Sequence, residues 1–178
     1  MNFIKIIVRL NLFVLLSSCY GQNSPPPQNG EEKTYYPDGT LLSITHYLNG
    51  KKNGESITYF RNGKIYSDIH YKNGNFFDIT KWYFDNGQLN HEEYWDSNGN
   101  EQGDFKIWFQ SGKVSQEGFF VNGLIIGKSI QYYESGNIMS IYNYDRTGKK
   151  DSIWVYYSDD KKIIRREFYK RDSLVKTE

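Results

Sequence analysis

Apolar and polar positions along this chain alternate in short runs that end at a glycine, and the arrangement recurs every 24 or 25 residues. Its clearest mark is an aromatic pair: Tyr35-Tyr36, Tyr59-Phe60, Tyr83-Phe84, Trp108-Phe109, Tyr132-Tyr133 and Tyr156-Tyr157. A turn closing on glycine follows in the first five units, at Gly39, Gly63, Gly87, Gly112 and Gly136. Two positions beyond the glycine an aliphatic residue opens a second run (Leu41, Ile65, Leu89, Val114, Ile138). Six residues later that run reaches another aromatic (Tyr47, Tyr71, Trp95, Phe120, Tyr144). In the sixth unit Asp159-Asp160-Lys161 replaces the glycine turn and the pattern continues with one residue added, Ile163 and Tyr169 again falling six apart. Self-similarity at such a period means a repeat array, in which each unit buries its apolar side chains only against its neighbours.

Each unit reads as a β-hairpin. Asn-Gly or Asp-Gly between strand-like runs is a strong hairpin signal, because both residues tolerate positive φ. Second turns join one hairpin to the next at Asn49-Gly50, Asn73-Gly74, Asn98-Gly99, Asn122-Gly123 and Thr147-Gly148. Four residues on stands Gly54, Asp78, Gly103 or Gly127, and the last linker is read as reaching Asp151 one residue early. Even spacing puts the aliphatic and the aromatic of the second strand on one face. The adjacent rings of each pair are expected on opposite faces, one lining an interior row and the other forming a ladder outside. No stretch of ten residues carries a helical apolar stripe. The expected fold is all-β: an elongated, antiparallel single sheet of about six stacked hairpins. Twelve strands about 4.8 Å apart make it roughly 55 Å long, with the charge-rich run Ile163–Asp172 blunting its last edge.

The N-terminus follows a different pattern. Lys5 and Arg9 precede or interrupt a short apolar stretch from Ile6 to Leu16, too short for the roughly 20 residues that span a bilayer. It ends in Leu16-Ser17-Ser18-Cys19, which resembles a bacterial lipobox, with Cys19 as the lipidated mature N-terminus. Residues 1–18 are thus expected to be a lipoprotein signal peptide, 19–31 a Pro-rich tether carrying Pro25-Pro26-Pro27, and 32–178 the repeat domain. Cys19 is the only cysteine, so no intrachain disulfide forms. Tyr20 stands where an inner-membrane retention signal carries Asp, which favours an outer-membrane location in a cell with two membranes. Cleavage after Ser18 removes Lys5 and Arg9 from the 22 basic side chains, leaving 20 against 21 acidic ones. No basic stripe remains, which argues against nucleic-acid binding.

Candidate chemistry is sparse. His46 and His70 occupy one slot in adjacent repeats, about 10 Å apart, too far to share a metal ion with bonds near 2 Å. They and His91 read as strand polar residues, and neither a metal site nor a cofactor is implied. Glu92, Glu93, Glu117 and Glu167 lie on second strands with nothing to mark the cleft that a glycosidase carboxylate pair flanks. No nucleophile, phosphate-loop or dinucleotide motif is present. Aromatic residues make up 17% of the chain. Most are needed as packing in a one-layer sheet, and Trp82, Trp95, Trp108 and Trp154 are the candidate binding rings.

Elements such as Tyr47-Leu48-Asn49-Gly50-Lys51-Lys52-Asn53-Gly54, alternating with Trp82-Tyr83-Phe84-Asp85-Asn86-Gly87-Gln88-Leu89, resemble the MORN-repeat variant family over about residues 32–176. The resemblance implies stacked hairpins, contact with protein or lipid, and no common catalytic residue. Many bacterial members carry the label of an antitoxin component. The expectation is a lipid-anchored, non-enzymatic envelope protein that serves as a scaffold for a protein partner. Two alternatives are an antitoxin or immunity component and a cell-wall or polysaccharide binder acting through an aromatic ladder.

Overall fold

The computed structural model describes residues 25–178; Cys19, the leader before it and the first part of the tether lie outside them. The described residues contain strands and turns and no helix. Six hairpins follow in chain order: β1 (Asn29–Tyr35) with β2 (Leu41–Leu48), β3 (Lys51–Tyr59) with β4 (Ile65–Lys72), and, after the two-residue β5 (Asn75–Phe76), β6 (Asp78–Tyr83) with β7 (Leu89–Trp95). Next come β8 (Glu101–Trp108) with β9 (Val114–Val121), then the two-residue β10 (Leu124–Ile125), then β11 (Gly127–Tyr132) with β12 (Ile138–Tyr144). The sixth pair is β13 (Ser152–Tyr157) with β14 (Ile163–Lys170), and β15 (Ser173–Thr177) follows. All belong to one antiparallel sheet whose strands lie in chain order, with β5 and β10 as short side pairings on β4 and β9. Contacts of each strand are concentrated on its neighbours in the sheet. The predicted single-sheet architecture is therefore observed, with one strand more than the twelve expected along its length. The last described strand is β15, and Ile163–Lys170 is paired on both sides, so it is not the blunted edge that its charge suggested.

The turns within the hairpins work differently from the expectation. In the first, the Gly39 amide donates to the Tyr36 carbonyl (2.9 Å) and the Tyr36 amide to the Thr40 carbonyl (2.8 Å). Gly39 has φ 86° while Asp38 is not among the positive-φ residues. This is a type I turn closed by a glycine bulge, and the register shifts next to it, between Thr34 and Tyr35. Asp38 is chosen for its side chain: Oδ1 accepts the Thr40 amide at 3.0 Å. Asn62, Asn86 and Ser135 do the same for the amide two residues on. Positive φ at both residues occurs instead in linkers: Asn49-Gly50, Asn73-Gly74, Asn122-Gly123 and Arg171-Asp172. The linkers at Asn98-Gly99 and Thr147-Gly148 use the type I form, opened by Asp96 and Asp145.

The sixth hairpin needs no extra residue. Ser158 and Lys161 make the bonds that Tyr133 and Gly136 make one unit earlier, so Tyr157 takes the first-ring position and Lys161, at φ 66°, the glycine position. Ser152, at φ 57°, likewise holds the slot of Gly54, Gly103 and Gly127 at full spacing, correcting the reading that placed it at Asp151. The second ring of each of the first five pairs also differs from expectation. It leaves the strand and opens the turn, where Tyr36 Oη donates to the Tyr59 carbonyl (2.7 Å) and Tyr133 Oη to the Tyr157 carbonyl (2.8 Å). Those bonds tie one hairpin to the next at its tip.

Candidate binding surface

Cross-strand partners share a face, so the register divides the sheet into two unlike surfaces. Apart from Tyr36 in a turn, every buried residue among those described lies on one of them, face A. One row of it runs Thr45, Ser56, Ile69, Thr80, Glu93, Phe105, Gly118, Ser129, Tyr142, Trp154, Glu167 across successive strands. The most deeply buried side chains are small hydroxyls, Thr80, Ser129 and Ser140. Large and small residues oppose each other: Phe105 faces Gly118, and Tyr142 faces Ser129. Rings then roof this row. The interior aromatics are thus Tyr71, Phe76, Trp82, Trp95, Phe105, Phe120, Tyr142, Tyr144, Trp154 and Tyr169, with ring centroids of neighbouring members 4.5 to 6.4 Å apart. The register shifts by one residue beside each hairpin turn and pairs Leu41 with Tyr35 of the opposite face, so the even spacing from Leu41 to Tyr47, and its equivalents, does not place both on this face.

The four tryptophans separate. Trp82 is buried, stacked on His91 at 4.0 Å and 11° and edged by Phe76. Trp154 is buried among Tyr142, Tyr144 and Tyr169, with the Lys150 ammonium 4.4 Å from its ring centre and its indole N–H donated to the Asn143 carbonyl. Trp95 and Trp108 are half-buried. Trp95 lies on face A and donates to Thr80 Oγ1 at 2.9 Å, whereas Trp108 follows Lys106 on the opposite face.

That opposite face, B, is more open. Its middle row reads Ile44, Ile57, Asp68, Lys81, Glu92, Lys106, Glu117, Ile130, Ile141, Val155, Arg166. Charge alternates strand by strand in the centre, with aliphatic residues at either side. Beside it Ile79, Tyr94 and Phe119 are each more than 40% exposed, and Ile153 is 38% exposed. Along the other margin run the first rings of the pairs, Tyr35, Tyr59, Tyr83, Trp108, Tyr132 and Tyr157, one per hairpin. Tyr132 Oη donates to Glu117 at 2.7 Å.

The four carboxylates do not converge. Glu92 and Glu93 are adjacent and so point to opposite faces; Glu117 shares face B with Glu92, but the Lys106 strand stands between them. Glu167 accepts the hydroxyls of Tyr156 and Tyr169 and pairs with Arg165 at 3.3 Å. Glu93 is the unusual one: burial, aided by the nearby Glu101 charge, pushes its carboxyl up to about 7. Burial holds His91, two residues away on the same face, down at about 4. The spacing of the histidines also hid a grouping. Glu55 is the cross-strand partner of His70, and one ligand atom each of Glu55, Asp68 and His70 lies within 4.8 Å of the others. The signal that finds this set is strand register, not the distance between histidines.

A search of curated proteins returns no match. Solved structures with some similarity include a GtfA/B complex bound to UDP and GlcNAc, at 13% identity and TM-score 0.25, covering 79% of this chain and 24% of that one. Another is accessory secretory protein 1,2 and 3 of Streptococcus pneumoniae, at 15% identity and TM-score 0.27, covering 71% and 23%. This chain therefore spans about a quarter of the length of either, and likeness at that level carries no argument. The MORN repeat variant family matches residues 28–49, 52–73, 79–97, 101–122 and 126–146, which coincide with the first five hairpins. With more than half its length matched hairpin by hairpin, the chain belongs to the MORN repeat variant family.

Proposed function

We propose that this protein is a lipid-anchored, non-enzymatic component of a bacterial cell envelope whose hairpin array presents face B to a protein partner. The observation that carries the reading is the contrast between the faces. Face A is closed by its own rings, while face B leaves Ile79, Tyr94 and Phe119 open beside an alternating charge ladder. Apolar anchors with a charged margin are the ordinary anatomy of a protein–protein interface. Anchoring rests on the lipobox-like Leu16-Ser17-Ser18-Cys19, since two or more acyl chains hold a protein stably at a membrane. Radiolabelled palmitate should enter the wild-type chain and not the Cys19→Ser variant.

The partner surface is tested by in-cell photocrosslinking from position 94 against position 54, which lies on face A. A discrete protein adduct from position 94, lost in Phe119→Asp, is the expected result. Adducts equal from both positions, or none, would contradict it. A glycan partner is the second reading, favoured by the row of one ring per hairpin from Tyr35 to Tyr157. It requires retention of the protein on cell-wall polysaccharide that weakens in Trp108→Ala, the one tryptophan on that row. Trp82 and Trp154 have their ring faces already covered, so neither reading uses them as anchors.

A further inference from the structure

The pairing of His70 with Glu55 on hairpin β3–β4 brings together more than two polar side chains. Asp68 lies two residues before His70 on the same strand and therefore on the same face. The His70 ring is turned so that Nδ1 lies 3.4 Å from the Ile79 carbonyl oxygen. A carbonyl only accepts, so this contact suits the neutral tautomer with its proton on Nδ1, which leaves the Nε2 lone pair free as in a metal-ligating imidazole. Oδ1 of Asp68 is fully buried and has no hydrogen-bond partner among the described residues. A buried carboxylate oxygen with no donor is costly, and a cation would satisfy it. The preceding hairpin provides a comparison. There His46 makes the same backbone contact, with the Glu55 carbonyl at 2.9 Å, and its Nε2 sits 3.8 Å from Glu31, but Ile44 stands in the slot of Asp68. Among the described residues His70 forms no such direct ion pair, although all three donors lie within 4.8 Å.

We propose that Glu55, Asp68 and His70 form a binding site for a divalent transition-metal ion of the zinc class. One imidazole with two carboxylates suits Zn²⁺, whereas Ca²⁺ and Mg²⁺ favour oxygen alone. Donors around a tetrahedral zinc with bonds near 2.1 Å stand about 3.4 Å apart. The set must therefore close by at most about 1.4 Å, and the exposed Glu55 side chain is free to swing inward. Bound there, the ion cross-links β3 to β4 and leaves a fourth position open on face B, for water or for a side chain of a partner. The site stands on its own residues and does not depend on which partner face B takes.

The test is calorimetric titration of the purified protein with ZnCl₂, MgCl₂ and CaCl₂ at pH 7.5, with thermal denaturation alongside. One equivalent of Zn²⁺ should bind and raise the melting temperature, as any ligand of the folded state alone must, while Mg²⁺ and Ca²⁺ do neither. His70→Gln, at a half-buried position, and Glu55→Gln, at an exposed one, should each weaken Zn²⁺ at least tenfold with unchanged circular dichroism. His46→Gln should leave binding as it was. Absence of Zn²⁺ binding, or binding that survives equally in His70→Gln, overturns the proposal; a loss that follows His46→Gln instead places the ion at the other pair and overturns it too.

Discussion

Gly118→Ala is expected to destabilise the protein by about 2 kcal/mol, an unusually large effect for adding one methyl group. Among the described residues Gly118 is the one strand glycine without a positive φ, so backbone freedom is not the reason for it. A methyl placed there would lie 2.6 Å from Cε1 and 2.8 Å from Cζ of Phe105, and 3.2 Å from Cβ of Ser129. The Phe105 ring has little space to retreat, being 4% exposed and packed on Phe120 at 4.7 Å. Phe105→Ala should itself cost about 3–4 kcal/mol through the void it leaves. In the double variant the methyl enters that void, so the combined loss should fall short of the two single losses by at least about 1 kcal/mol. Urea denaturation of the four proteins measures this. Strict additivity would show that Phe105 and Gly118 do not share the one space.

Replacing Glu93 by Gln should raise stability by about 2–3 kcal/mol at pH 8 and have little effect at pH 4.5. The folded-state carboxyl, at about 7, lies above its ordinary 4.5. Its stabilising contribution is therefore fully present below about pH 4.5 and is lost as pH rises through 7, where burial opposes the charge. His91 has the opposite sign. Its folded-state value of about 4 lies below the ordinary 6.5, so its contribution is present above 6.5 and is lost as pH falls towards 4. The wild-type protein should thus be most stable between about pH 4.5 and 6.5. Denaturation midpoints measured from pH 4 to 9 should fall on both sides of that window, and Glu93→Gln should remove the alkaline fall and leave a midpoint that climbs from pH 4 to 6.5. A wild-type profile level from pH 6 to 9 would contradict the assignment.

The period, the hairpins and the single sheet were legible in the sequence because aromatic pairs and turn glycines are chemically distinctive and recur at fixed spacing. What turns on register was not. The glycine of each type I turn adds a bulge that shifts the pairing by one residue. Spacing alone therefore does not say that Glu55 meets His70, or that Phe105 meets Gly118. The second ring of each of the first five pairs was assigned to a strand face for the same reason, although the turn had already begun there. Small hydroxyls escaped notice as core because Ser and Thr are ordinarily exposed. Thr80, Ser129 and Ser140 are nonetheless buried, Thr80 under the Trp95 indole that donates to it and the two serines opposite Tyr142 and Tyr156. Asp38, Asn62 and Asn86 were rightly identified as turn residues, yet through the wrong property, since they act by accepting an amide and not by adopting positive φ.

Cohesion between neighbouring hairpins in an open lattice is most directly tested by a distance across the whole array. Spin labels at Lys33→Cys on β1 and Lys176→Cys on β15, in a Cys19→Ser background, both occupy exposed strand positions. Twelve strand-to-strand steps of about 4.8 Å predict a separation on the order of 50 Å, after allowance for twist. A pulsed-dipolar distance below about 25 Å would put the first and last strands side by side, as in a closed barrel, and would contradict the account.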